Sequence, residues 1–130
     1  MKIKTIALYL PLVILVLYFG YTQFENKSIN TISINELEQK LQDPKSSNII
    51  FVDVREPHEY EAGHIKGMKN IPLSTLKSDY KGLSKDAEIV LLCRSGKRSL
   101  QAANILKDYG YGNVVSVSGG IQEWQGEIIK

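Results

Sequence analysis

A chain of 130 residues allows one compact domain and little more. From Ser28 to Lys130, 13 basic residues balance 13 acidic ones, so no broad electrostatic field is expected to attract nucleic acid. The chain has a single cysteine, Cys93, which excludes an internal disulfide. That thiol is either inert and buried or reactive and required for function.

The N-terminal segment differs in composition from the rest of the chain. No charged residue occurs from Thr5 to Thr22, and most of the residues between them are apolar. As a helix, this stretch would span roughly 27 Å, close to the hydrocarbon thickness of a bilayer. The pattern predicts one transmembrane helix at residues 5–22, within an N-terminal anchor of residues 1–24.

A cleaved signal peptide is the alternative interpretation of this segment. Lys2 and Lys4 give it a basic start, but its best candidate for a small-x-small cleavage site, residues 20–22 (Gly-Tyr-Thr), is poor. The positive charge ahead of the segment predicts a cytoplasmic N-terminus and an extracytoplasmic domain. The expected location is therefore the cell membrane, with a single span, or the periplasm or exterior after cleavage.

After the apolar segment, the pattern predicts a short linker and then a folded domain. Residues 25–30 are polar and form the linker, which leaves residues 31–130 for the domain. Ser33 and Glu36 fit a capping box that opens a helix. The apolar runs at residues 48–54 and 88–92 are typical of buried parallel strands.

Further elements follow the same alternation. Pro57 suits the first position of a short helix that ends before Gly63, and a small helical turn is expected near Ser74. The remaining expected elements are a helix from about Ser99 to Tyr109, a strand at residues 114–117 and a last short helix that carries Trp124. Strands that alternate with helices predict an α/β fold, with a small parallel sheet flanked by helices.

Cys93 lies where the strand at residues 88–92 gives way to a helix. This position is at the carboxyl end of a strand, where open α/β sheets bind ligands. Gly96 allows the loop to curl so that successive backbone N–H groups form an anion-binding nest. The helix N-terminus adds a partial positive charge, and three formal charges follow in the loop, from Arg94, Lys97 and Arg98. Each of these features lowers a thiol pKa, which favours a reactive thiolate over an inert buried cysteine.

Three motifs, in order, make the chain resemble the single-domain rhodaneses from Thr31 to about Gln125. They comprise residues 52–60 (VDVREPHEY) with 63–67 (GHIKG) and 70–72 (NIP), residues 93–99 (CRSGKRS), and Gly119-Gly120 with Trp124. The resemblance implies a rhodanese-like α/β domain with sulfurtransferase activity. A thiosulfate-type donor would give its sulfane sulfur to Cys93 as a persulfide, and cyanide or a thiol, free or on a protein, would accept it.

The residues themselves suit this chemistry. Cys93 would be the nucleophile, because attack on a sulfane sulfur needs an activated thiolate. The backbone of the substrate-binding loop would cradle the persulfide, and Arg98, with Lys97, would bind the oxyanion of the donor. The predicted binding loop comprises Arg94, Ser95, Gly96, Lys97, Arg98 and Ser99. This chemistry calls for no cofactor and no metal.

Three further residues are predicted to have structural roles near the site. Asp53 and Arg55 follow an apolar strand and are expected to form an ion pair that braces neighbouring loops. His64 is expected to hydrogen-bond the backbone in a turn. His58 and His64, with one cysteine, do not make a convincing zinc site.

Two other classes of protein remain open as alternatives. A cysteine phosphatase or arsenate reductase also places a thiolate in an anion-binding loop. A resemblance to the phosphatases of this kind would need the spacing Cys-x5-Arg, whereas Arg98 follows Cys93 as Cys-x4-Arg. A persulfide carrier or a non-catalytic interaction module for a protein partner is the second alternative, because one fold serves several functions.

Overall fold

The computed structural model describes residues 2–24 and 28–130 of the chain. Helix α1 (Lys2–Phe24) contains Pro11, and its described large apolar side chains are exposed. In the part of the chain that the structure describes, no helix is both long and apolar enough to cross a membrane. The transmembrane anchor predicted at residues 5–22 is therefore not supported. Residues 25–27 of the predicted linker lie outside the described residues.

The domain is built on a sheet of five parallel strands in the order β1-β5-β4-β2-β3. The strands are β1 (Asn30–Ile32), β2 (Ile49–Asp53), β3 (Lys69–Asn70), β4 (Glu88–Leu92) and β5 (Val114–Val117). The helices that follow α1 are α2 (Ile34–Gln42), α3 (Pro57–Ala62), α4 (Leu76–Asp79) and α5 (Lys97–Asp108). Short 3-10 turns occupy Ser46–Asn48, Tyr80–Gly82 and Ile121–Glu123. The predicted α/β class with a parallel sheet is confirmed.

The central strand β4 carries core residues on both faces of the sheet. Alternate side chains of a strand point to opposite faces, so Ile89 and Leu91 pack with α5 residues such as Leu106, while Val90 and Leu92 pack with Leu37 of α2. Both faces are therefore covered by helices, which explains why β4 reads as a continuous apolar run. The strand ends at Cys93, which belongs to the first of these two clusters.

Most of the predicted elements are present, with shifts at their ends. The Ser33 hydroxyl caps α2 by accepting a hydrogen bond from the Glu36 N–H at 3.2 Å, as the capping motif predicts. Helix α5 begins at Lys97, two residues before the predicted start, and the last predicted helix is a single 3-10 turn. Strands β1 and β3 were not predicted, and β1 begins at Asn30, inside the predicted linker.

Candidate active site

The side chain of Cys93 lies at the junction of β4 and α5, beneath the loop that joins them. Gly96 is the N-cap of α5 and has φ +102, a left-handed conformation that favours glycine. This turn brings the Gly96 N–H to 3.0 Å from the Cys93 Sγ, and the sulfur accepts its hydrogen bond. Cys93 itself has no exposed area. The sulfur therefore lies at the positive end of a twelve-residue helix and is shielded from water.

Opposing effects act on the acidity of this thiol. Burial raises the pKa of Cys93, but hydrogen bonds from the backbone and hydroxyl of Ser99 and from the backbone of Gly96 and Ser95 outweigh it. The net result is a pKa below the ordinary value of a cysteine. The loop thus provides the N–H groups that the sequence pattern predicts for an anion-binding nest.

We expect the thiolate of Cys93 to persist below the pH at which an ordinary cysteine is protonated. The ordinary cysteine pKa is about 8.5, and hydrogen bonds to the anionic sulfur favour the charged form. Because the folded-state pKa is depressed, the ionised thiol adds stability above the unfolded-state pKa, and this stability is lost as the pH falls through the folded-state value. The ultraviolet absorbance of the thiolate measures the titration, with Cys93→Ser as the blank. A midpoint at or above that of a free cysteine would contradict the expectation.

The three cations of the loop have different surroundings. Arg94 and Lys97 are exposed, and neither forms an ion pair with any residue that the structure describes. Arg98 is tied to Glu59 of α3 by two hydrogen bonds, of 2.7 and 2.9 Å. This pairing is the main reason why the pKa of Glu59 is lowered to about 2 and the pKa of Arg98 is raised. Two of the five guanidinium N–H groups thus serve Glu59, and three remain available for other partners.

The turn at Gly119-Gly120 holds the loop from its other side. The backbone N–H of Ile121 donates to the Cys93 carbonyl oxygen at 2.8 Å, and that of Gln122 donates to the Arg94 carbonyl oxygen at 3.2 Å. A Cβ atom added to Gly120 would collide with the backbone of Arg94. The Gly119-Gly120 motif therefore lies directly against the Cys93 motif. Gly120 is required because the two backbones approach each other closely.

Known proteins are similar to this chain in both fold and sequence. Residues 33–127 match the family described as the rhodanese-like domain. The chain belongs to the rhodanese-like family. A sulfurtransferase from Allochromatium vinosum is 35% identical over 96 residues, which cover 74% of this chain and 88% of that protein. The crystal structure of a rhodanese-related protein from Thermoplasma volcanium is 32% identical, has a TM-score of 0.67, and matches 77% of this chain and 97% of that one.

A further relative is longer than this chain. YrkF of Bacillus subtilis, a candidate sulfur carrier protein, is 39% identical over 100 residues, which cover 77% of this chain. The chain spans only 53% of the length of that protein.

Asp53 and Arg55 form a buried pair at the edge of the rhodanese-like site. The Arg55 guanidinium donates to both carboxylate oxygens of Asp53, at 2.8 to 3.0 Å, and to the carbonyl oxygen of Gly63 at 2.8 Å. Asp53 is the register partner of Leu92, the residue before Cys93. The pair thus ties β2 to the turn that follows α3, in the bracing arrangement that the sequence predicts.

His64 of the rhodanese-like domain lies in that same turn. Its Nδ1 is 2.8 Å from the Tyr60 carbonyl oxygen, and its ring stacks on the Tyr60 ring with a centroid distance of 3.7 Å. Its backbone exchanges two hydrogen bonds with Ile129. His64 therefore closes the turn against the C-terminal segment, while His58 is exposed. Among the described residues, no group of three or more metal-ligating side chains of His, Cys, Asp or Glu is brought together.

Two residues that contact the predicted binding residues have no role in the sequence predictions. Glu59 reaches Arg98 across 39 positions of the chain. Ser116, a buried residue of β5, lies with its hydroxyl oxygen 2.7 Å from that of Ser99. The available signal for Ser116 is a hydroxyl within an otherwise apolar strand, since its neighbours in β5 are valines. A buried hydroxyl needs a partner, but the sequence does not say which.

Proposed function

We propose that this rhodanese-like chain is a sulfurtransferase that carries a sulfane sulfur from a thiosulfate-type donor, through a persulfide on Cys93, to a thiol or cyanide. The observation that carries this proposal is the environment of the Cys93 sulfur. It lies at the N-terminus of α5, accepts the Gly96 N–H at 3.0 Å, and has a lowered pKa despite its burial. A thiolate is the form that attacks sulfur, so this environment supplies the required nucleophile.

The proposed reaction balances in two steps. In the first, the Cys93 thiolate attacks the outer sulfur of thiosulfate, a new S–S bond forms, and sulfite leaves with the electron pair of the broken bond. In the second, cyanide or a thiolate attacks the outer sulfur of the persulfide, which releases thiocyanate or a new persulfide and restores the Cys93 thiolate. The N–H groups of the loop stabilise the negative sulfur in both resting forms, because they are fixed in place before the charge arrives.

Access to the sulfur imposes a condition on this mechanism. Cys93 has no exposed area, whereas Arg94 and Ser95, the next two residues, are exposed. A donor therefore reaches the sulfur only when the protein around Cys93 opens. Arg94 and Lys97 are exposed positive charges close to Cys93 in sequence, with no ion pair to any described residue, which suits an anionic donor. Arg98 contributes through the N–H groups that Glu59 leaves free.

Glu59→Gln is expected to lower the thiosulfate KM by roughly two- to fivefold at low ionic strength, because the positive charge of Arg98 is then no longer offset. Glutamine still accepts the hydrogen bond that the Glu56 N–H donates to Glu59 at 2.9 Å, so the start of α3 is retained. The gain should shrink as salt screens the charge. Steady-state kinetics at two salt concentrations measure both effects.

Glu61→Gln is the matched control for this charge change. Glu61 is an exposed residue of the same helix and has no ion pair within the described part of the chain. Its replacement should leave the KM close to the wild-type value. An unchanged or higher KM in Glu59→Gln would mean that the pair does not control attraction of the donor.

Two assays on the full-length chain test the proposed reaction against phosphatase chemistry. Formation of thiocyanate from thiosulfate and cyanide is the expected activity, and hydrolysis of an aryl phosphate is expected to be negligible. Arg98 follows Cys93 as Cys-x4-Arg, one residue closer than the Cys-x5-Arg spacing of the cysteine phosphatases, and this shorter spacing disfavours enclosure of a whole phosphate ion. Robust phosphate hydrolysis without thiocyanate formation would overturn the proposal.

A persulfide carrier is the second candidate, favoured by the burial of Cys93 and by the similarity to YrkF. A carrier would load one sulfur from thiosulfate yet turn over slowly with cyanide or small thiols, because its natural acceptor would be a thiol on a partner protein. A single-turnover loading rate that greatly exceeds the steady-state rate would favour the carrier. Equal rates would favour the free enzyme.

A further inference from the structure

Ser116 and Ser99 form a chain of buried hydroxyl groups behind the Cys93 sulfur. The Ser99 Oγ lies 2.7 Å from the Ser116 Oγ, 3.0 Å from the Gly96 carbonyl oxygen and 3.6 Å from the Cys93 Sγ. Cys93 and Ser99 have no exposed area, and Ser116 is 1% exposed. Both serine hydroxyl groups are therefore buried, and each needs a hydrogen-bond partner.

The number of protons fixes the direction of each bond while the thiol is neutral. The Gly96 carbonyl oxygen can only accept, so the single proton of the Ser99 hydroxyl is directed to it at 3.0 Å. The Ser99 oxygen then accepts from the Cys93 S–H and from the Ser116 hydroxyl. The Ser116 hydroxyl is consequently the donor in the 2.7 Å bond, and the Ser99 hydroxyl is its only hydrogen-bond partner among the described residues.

Ionisation of the thiol reverses one of these bonds. A thiolate has no proton to donate and requires donors, so the Ser99 hydroxyl turns its proton from the Gly96 oxygen to the sulfur. The Gly96 oxygen keeps a partner, because the Leu100 N–H donates to it at 3.3 Å. Ser116 continues to donate to the Ser99 oxygen, and a hydroxyl that accepts a hydrogen bond is a stronger donor.

We infer that Ser116 is a positioning residue for sulfur transfer, which holds and polarises the Ser99 hydroxyl so that Ser99 donates to the anionic sulfur of Cys93. This inference rests on the proposed function, since a persulfide anion needs the same donor as the thiolate. Ser116 does not touch the sulfur in the contacts described, and it acts through Ser99 alone. Arg98 also interacts electrostatically with Cys93, and it does not belong to this hydroxyl pair.

A double-mutant cycle on the full-length chain tests the inference, with the Cys93 titration followed by thiolate absorbance. Ser116→Ala is expected to raise the Cys93 pKa by about half a unit, and Ser99→Ala by about one unit or more. The same Ser116→Ala change in the Ser99→Ala background should produce no further shift, because the group through which it acts is gone. Ser118→Ala is the matched control, since Ser118 is exposed and donates to the Ile32 carbonyl oxygen.

The cycle has two outcomes that overturn the inference. One is a Ser116→Ala titration that matches the wild type, and the other is an equal shift with and without the Ser99 hydroxyl. Unfolding midpoints of the four variants verify that each is folded at the pH values used. The titration needs no sulfur donor, so an effect of Ser116 remains measurable even if the chain fails to turn over thiosulfate, and the two failures are distinguishable.

Discussion

Cys93→Ser is expected to abolish thiosulfate turnover, with residual activity at least a thousandfold below that of the wild type. The chain has one cysteine, so no second thiol is present to accept the sulfur. A serine hydroxyl is not ionised at neutral pH and does not form a persulfide. The serine side chain is small enough to fit the buried site, and its oxygen can accept the hydrogen bond that the Gly96 N–H donates to the sulfur in the wild type.

The fold of this variant is the control for the loss of activity. Its unfolding midpoint in urea is expected to lie close to the wild-type value, because burial of one hydroxyl with a hydrogen-bond partner costs little. Thiocyanate formation at a measurable fraction of the wild-type rate would show that another group carries the sulfur. Such a result would remove Cys93 from its assigned role.

Gly120→Ala is expected to destabilise the domain by about 3 kcal/mol or more and to reduce thiosulfate turnover at least tenfold. Gly120 has φ +66 and ψ −169, a conformation that is essentially restricted to glycine. An added Cβ would also meet the backbone of Arg94, which cannot move aside without displacing the Cys93 loop. Urea unfolding and thiosulfate turnover measure the two effects.

Gly112→Ala is the matched control for this change. A Cβ at Gly112 would meet nothing within 4 Å, and Gly112 is not among the glycines with positive φ. Its effect on stability is expected to stay within about 0.5 kcal/mol. Equal stability of the two variants would contradict the assignment of Gly120 as a residue that holds the Cys93 loop in place.

The sequence predicts the centre of the sheet better than its edges. Strand β4 is apolar throughout because helices cover both of its faces, and this pattern is visible without a structure. Strand β1 has three residues, two of them exposed, and β3 has only two residues. Such short edge strands carry no periodic pattern, since pairing with β5 or β2 forms them.

The candidate site divides in the same way between local and distant contacts. The loop from Cys93 to Ser99 was predicted because a strand, a glycine and a helix start are adjacent in sequence. The pairing of Arg98 with Glu59 was not predicted, because it depends on how α3 packs against α5. The contact of Ser116 with Ser99 likewise requires β5 to lie beneath the start of α5. Long-range packing of this kind is not encoded in local spacing.

The surroundings of Cys93 bear on the choice that the lone cysteine posed. The sequence suggested a thiol that is either inert and buried or reactive. Cys93 is fully buried, and its pKa is nevertheless lowered, because the hydrogen bonds from Ser99, Gly96 and Ser95 outweigh the effect of burial. Burial and reactivity are compatible where the protein supplies fixed donors to the anion.

The most direct test of the central claim is the mass of the full-length chain after treatment with thiosulfate and removal of the excess. The account predicts one added sulfur atom per chain, located by peptide mapping on the fragment that contains Cys93, and lost on addition of cyanide as thiocyanate forms. A mass that stays unchanged under conditions where the thiol is ionised, or sulfur found on another residue, would contradict it.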